Sequence, residues 1–332
     1  MEGLPQLNIW RKAAALVATG TLLAGCTRGS TSRAESNDPT HIVFASNRGG
    51  SDYDIYEKDL STHEVVDLTP SAGDDMNPEL SPDGKKVVFY SDRTGTNQIY
   101  ELELEHPDNV QRLTQDNAQD YDSAYMPDGH IVYKSNKDDS SQGNGDIWLM
   151  NANGSDAHNL TSSMPDSEEW KPAPVDNKHI IFTSRSTAGK PDTDELFQED
   201  LVTGEISQIT HNSLPDWFPS VCAKTGLIAF VSKTAEASSD AIFTQYPTEN
   251  GRGIFIGEQT ALKIQDDVDD PSWSGDCKKL AFVNQANGHY GIYEADIDKN
   301  IISQLDIAPE GYNDLAPIFV KHSPAPPFNS QI

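Results

Sequence analysis

Apolar and polar residues alternate in short bursts along most of this chain, and the bursts recur as a set. An apolar triplet ending in an aromatic appears as Ile42-Val43-Phe44, Val87-Val88-Phe89, Ile131-Val132-Tyr133, Ile180-Ile181-Phe182, Ile228-Ala229-Phe230 and Leu280-Ala281-Phe282. The aromatic positions lie 45, 44, 49, 48 and 52 residues apart. A second signal follows each triplet, from Asp54-Ile55-Tyr56 to Gly291-Ile292-Tyr293. A third is the Leu-Thr pair at Leu68-Thr69, Leu113-Thr114 and Leu160-Thr161, with Ile209-Thr210 as a variant. The fourth leads into a turn, clearest in Pro78-Glu79-Leu80-Ser81-Pro82-Asp83-Gly84. Runs this short, rich in β-branched and aromatic residues and bounded by Gly, Pro, Asn and Asp, are strands. After Gly25 no window of about ten residues carries apolar positions at helical spacing. Four short strands per repeat is what one propeller blade needs, so the pattern predicts an all-β, six-bladed β-propeller over residues 41–320.

The first residues read as an address. Arg11 and Lys12 precede an apolar run, Ala13 to Gly25, shorter than the ~20 residues of a bilayer span and suited to a signal-peptide core. The run ends Leu22-Leu23-Ala24-Gly25-Cys26, which resembles the lipobox of bacterial lipoproteins. That resemblance implies cleavage before Cys26 and acylation of its sulfur as a membrane anchor. Thr27 stands where an inner-membrane retention signal usually carries Asp, which favours the outer membrane. The expected organisation is a signal peptide at 1–25, a Ser-, Thr- and Asn-rich flexible tether at 26–40, the propeller at 41–320 and a loose Pro-rich tail at 321–332.

Composition narrows the partners. Among 332 residues, 24 Lys and Arg face 52 Asp and Glu, a formal charge of −28. Such a chain does not suit nucleic acid or an anionic lipid surface, which are held by Lys and Arg. Cations and basic proteins remain.

The run Ser81-Pro82-Asp83-Gly84-Lys85-Lys86-Val87-Val88-Phe89-Tyr90-Ser91-Asp92-Arg93 and the shorter Pro271-Ser272-Trp273-Ser274-Gly275-Asp276 carry a family resemblance. The repeats resemble the TolB-type, WD40-like PD40 propeller family. In that family the strand before the Ser-Pro-Asp-Gly turn is the innermost of its blade, and this chain starts its first blade at the second strand. The resemblance therefore implies that Leu315 to Val320 supplies the missing inner strand and closes the ring beside residues 42–69. It also implies a monomeric, non-enzymatic binding or scaffolding module in the cell envelope, facing the periplasm. The implied partner is an envelope protein with a basic or peptide-like segment at the channel mouth. TolB's domain ahead of its propeller has no counterpart between Cys26 and His41, so its role is not carried over.

The candidate site is acidic. Three residues before the repeat's Pro, or Ser123 in its place, stand Asp75, Asp120, Glu169, Asp216, Val268 and Asp314. Five carboxylates at the start of the inner strands are expected to ring one channel mouth. There they would hold a basic partner, or a hard cation such as calcium, which takes oxygen ligands. The alternative is that each is a spoke paired with Arg48, Arg93, Lys137, Arg185 or Lys233, which follow the blade aromatics by three or four places. A competing function, a metal-dependent carbohydrate-active enzyme like the oligogalacturonate lyases, needs clustered histidines at the mouth. His41, His130 and His179 start second strands instead, and His211 alone lies near such a loop. The chain carries no Gly-x-Ser-x-Gly elbow, the mark of a propeller-bearing peptidase's hydrolase domain. No catalytic residue and no required cofactor are expected. With Cys26 acylated, Cys222 and Cys277 form an even pair and are expected to bridge in an oxidising envelope.

Overall fold

The apolar triplets become second strands, and each pairs on one side with an inner strand and on the other with the strand after it. In the computed structural model, residues 38–321 are described apart from 139–144, 166, 187–193, 212–213, 234–239, 246–267, 287, 300 and 307. The proposed signal peptide, Cys26, most of the tether and nearly all of the tail lie outside the described residues. Six antiparallel sheets form the blades. Blade I joins Asp314–Val320 to His41–Ser46, Asp54–Asp59 and Val65–Asp67; blade II holds Asp75–Leu80, Lys86–Ser91, Gln98–Glu103 and His106–Arg112. Blade III holds Asp120–Tyr125, Ile131–Ser135, Asp146–Met150 and His158–Asn159; blade IV holds Ser167–Pro174, His179–Ser186, Asp194–Asp200 and Glu205–Gln208. Blade V shows three strands among the described residues, Asp216–Val221, Ile228–Lys233 and Asp240–Gln245. Blade VI holds Val268–Trp273, Lys279–Ala286, His289–Asp296 and Ile301–Asp306. The structure is the expected all-β, six-bladed propeller, and no described residue lies in a helix.

The repeat's markers have physical reasons. Phe44, Phe89, Tyr133, Phe182 and Phe282 are fully buried, and the phenylalanines stack on the next strand's ring, as Phe44 does on Tyr56 at 6.2 Å and Phe89 on Tyr100 at 5.9 Å. The Thr of each Leu-Thr pair is buried, and its hydroxyl accepts a backbone N–H from the third strand: Ile55 to Thr69 at 2.8 Å, Ile99 to Thr114 at 3.0 Å, Ile147 to Thr161 at 3.0 Å and Leu196 to Thr210 at 2.9 Å. Each hydroxyl satisfies a donor that would otherwise be orphaned in the blade. In the turn, the Ser81 hydroxyl donates to Asp83 at 2.7 Å and Gly84 takes a left-handed φ of 72°. Ser274 and Asp276 repeat that bond at 2.8 Å, and Cys277 occupies the left-handed position with φ 64°. Its sulfur is bonded to Cys222, with the Cα atoms 5.8 Å apart, which staples the inner ends of blades V and VI.

The ring closes as the family resemblance implied. Asp314–Val320 runs antiparallel to His41–Ser46, with His41 opposite Val320, Val43 opposite Ile318 and Ser46 opposite Asp314. Ions reinforce the seam: the Arg48 guanidinium donates to both Asp314 oxygens at 2.7 and 2.8 Å and to Asp306 of blade VI at 2.6 Å. The Lys58 ammonium donates to the second Asp306 oxygen at 2.7 Å.

Candidate functional site: the channel and its mouth

Every inner strand carries the same irregularity. The register with the second strand shifts near its middle, and the residue before the repeat's Pro (or Ser123) is left-handed. Asn77, Asp122, Lys171, Phe218, Asp270 and Ala316 have φ between 48° and 53°. Asn and Asp tolerate this conformation, whereas Lys, Phe and Ala adopt it at a cost of about 1 kcal/mol or more. Such bulges re-aim side chains, and all six residues line the central channel.

The five carboxylates picked out by the repeat sit two places earlier, and the structure puts them elsewhere. Asp75, Asp120, Glu169, Asp216 and Asp314 are 0–1% exposed, each opposite a Ser in the last part of its own blade's second strand. None lines the channel. The bulge accounts for this: strict alternation would put positions 75, 77 and 79 on one face, but an extra residue breaks it.

Asp314 and Asp75 are spokes. Asp314 is held by Arg48, and Arg93 donates to Asp75 at 2.7 Å. Burial pushes the Asp314 carboxyl up, and Arg48 works against that. In blade III, Lys137 turns instead to Asp116 at 3.1 Å and lies 5.3 Å from the Trp148 ring centre. Asp120 then faces the Ser135 and Thr114 hydroxyls, and burial pushes it up to about 6. In blade IV, Arg185 stands directly opposite Asp194 in register and pairs there at 2.6 Å. Glu169 accepts from Ser184 at 2.9 Å, and burial raises it to about 7. Asp216 adds its charge to the burial that lifts neighbouring Glu195 to about 7. Lys233, the fifth base, is exposed.

Among the described residues no three His, Cys, Asp or Glu side chains converge in a way that could hold a metal ion. His130 and His179 bond Asp128 and Asp176 of their own turns at 2.9 and 3.0 Å, and His211 is exposed.

The channel is a cavity of about 340 Å³. Four inner strands contribute one charge each: Glu79, Asp122, Lys171 and Asp270. The Lys171 ammonium reaches from blade IV to Asp270 of blade VI at 3.0 Å and lies 5.3 Å from the Phe218 ring centre. Asn77 donates to Asp122 at 2.5 Å. Burial alone would lower the Lys171 pKa, but Asp270, Asp122 and Glu79 outweigh it and hold the group above the ordinary lysine range. Glu79 lines the channel, where desolvation pushes its carboxyl up to about 7, opposed by Lys171 and assisted by Asp270. Three acids against one base leave the channel a net acceptor of positive charge. Their sequence signal was the slot just before or just after the repeat's Pro.

The family profile described as PD40, the TolB beta propeller domain, matches residues 23–142. With that match and the six-bladed ring in place, the assignment follows. Residues 23–142 carry the TolB-type PD40 signature, and the ring has the six-bladed propeller fold. It is 26% identical over 245 residues to the Tol-Pal system protein TolB of Francisella tularensis subsp. tularensis (strain WY96-3418), covering 72% of this chain and 53% of that protein. This propeller thus spans about half the length of that relative. The crystal structure of TolB from Acinetobacter baumannii superposes with a TM-score of 0.66 at 18% identity, over 85% of this chain and 66% of that one. The putative TolB from Agrobacterium tumefaciens superposes at 0.61 and 16% identity, over 80% and 88%. At these identities the structural likeness speaks for the fold.

Proposed function

We propose that this TolB-type propeller is a non-enzymatic protein-binding module of the cell envelope, and that its channel receives a basic segment of an envelope partner. One observation carries this reading: four inner strands place Glu79, Asp122 and Asp270 around the single base Lys171 in the channel. A basic side chain entering there meets carboxylates held in place by bulged strands, which keep lone pairs beyond those used by Lys171 and Asn77. Similarity to a Tol-Pal system protein supports a protein partner over a small-molecule substrate. The Leu22 to Cys26 motif supports lipid anchoring through Cys26, at the outer membrane and facing the periplasm. Calcium is not needed for this role.

Cross-linked capture from intact envelopes tests the proposal. The wild type should retain a protein partner that 0.5 M salt releases, and Asp122→Asn with Asp270→Asn should lose it while the variant still melts cooperatively. Undiminished capture by that double variant would place the contact outside the channel and overturn the reading.

A further inference from the structure

Beside the channel, a depression of about 880 Å³ opens across blades II to V, sharing only Asp122 and Phe218 with the channel lining. Its floor is aromatic for a positional reason. Tyr121, Trp170 and Trp217 each stand immediately before the left-handed residue of the inner strand in three successive blades. The same position holds Asp269, Leu315 and Met76 in the other three. Tyr90 joins the arc from blade II, edge-on to Tyr121 with ring centres 5.2 Å apart. All four rings are half-buried, with part of each left to solvent.

The charges of this depression are largely matched within it. Lys134 pairs with Glu168 at 2.7 Å, and Arg185 with Asp194 at 2.6 Å. Both cations also sit against Trp170, 5.8 and 5.1 Å from its ring centre, which holds the pairs in place. Asp122 is engaged by Asn77. The three acids Asp122, Glu168 and Asp194 and the three bases Lys134, Arg185 and Lys233 leave the lining without net charge, so a charged ligand finds no net attraction there. A neutral one can use the lone pairs that Glu168 and Asp194 retain after pairing. Aromatic faces carry negative potential and attract the weakly positive C–H groups on the flat side of a pyranose ring. The volume falls in the range of about 300–1,000 Å³ usual for ligand sites.

We propose that this aromatic arc is a binding site for a neutral oligosaccharide, separate from the channel and non-catalytic. It does not depend on the channel's role.

Titration with cellotetraose and chitotetraose, followed by tryptophan fluorescence and calorimetry, tests it. At least one should bind saturably and change the fluorescence, with affinity nearly constant between about 0.05 and 0.5 M NaCl, since no net charge is recognised. Tyr121→Leu and Trp217→Leu keep the bulk and remove the ring; each should weaken binding by about tenfold or more. Asp270→Asn, in the channel, should leave it unchanged. Should the Leu variants fold poorly, saturation-transfer NMR on the wild type decides: transfer from aromatic protons to the sugar is expected, and its absence overturns the proposal. It is equally overturned if neither sugar binds at about 10 mM, if the Leu variants bind normally, if the sugar is cleaved, or if tetralysine rather than sugar changes the fluorescence in a salt-sensitive way.

Discussion

Asp75 shows how much one buried side chain depends on its partner. Its carboxylate is 0% exposed and held by Arg93, so removing the guanidinium strands a charge in the sheet. Arg93→Met should therefore cost about 3–5 kcal/mol, and adding Asp75→Asn should recover much of it. Arg185→Met removes a base that is 41% exposed, against 20% for Arg93, and should cost less than Arg93→Met; denaturant melts of the three variants check this. Glu169 works in the opposite direction. Burial raises its folded pKa to about 7 from an ordinary 4.5. Between those values the folded state keeps a proton that the unfolded chain has released, so stability falls as pH rises through that window. Asp120 and Glu195, raised to about 6 and 7, act likewise. The protein should melt higher at pH 5 than at pH 8. Glu169→Gln, whose amide can face the Ser167 and Thr161 hydroxyls, should raise the pH 8 melting temperature by about 2–5 °C and narrow the difference. A difference that widened would contradict this.

At the scale of elements, the strand Asp314–Val320 and the Cys222–Cys277 bond hold neighbouring parts of the ring together. Truncation after Glu310 removes the inner strand of blade I, with buried Ile318, Phe319 and Val320, and takes Asp314 away from Arg48. It should expose a sheet edge and abolish the cooperative melt, with aggregation visible by light scattering. The disulfide spans a sequence separation of 55 residues, which on the chain-entropy model is worth about 4 kcal/mol. Replacing both cysteines by Ser should lower the denaturation midpoint accordingly, and neither Cys222 nor Cys277 should titrate as a thiol in the native, unreduced protein.

For the whole molecule, the decisive property is an acidic body with a locally arranged channel. A net charge of −28 over the chain disfavours an electrostatic hold on anionic lipid, so the proposed anchor is the acyl group on Cys26. Cys26→Ser should move the protein from the membrane pellet to the soluble fraction; retention in the pellet would refute the proposed anchor.

Short-range pattern alone determined the blades. Repeat spacing, the apolar triplets and the Leu-Thr pairs each report contacts within one sheet, and ring closure follows from counting strands. The site was less legible. Asp75, Asp120, Glu169, Asp216 and Asp314 are visible as a periodic acid, but periodicity carries no information on which way a strand's face turns. A left-handed residue two places later shifts the register, buries these acids and sends Asn77, Asp122, Lys171 and Asp270 into the channel. Whether a base becomes a spoke was likewise a matter of register: Arg185, three places after its aromatic where Arg48 and Arg93 stand at four, lands opposite Asp194. The pairing of Lys171 with Asp270, 99 residues apart on non-adjacent blades, exists only because the ring closes.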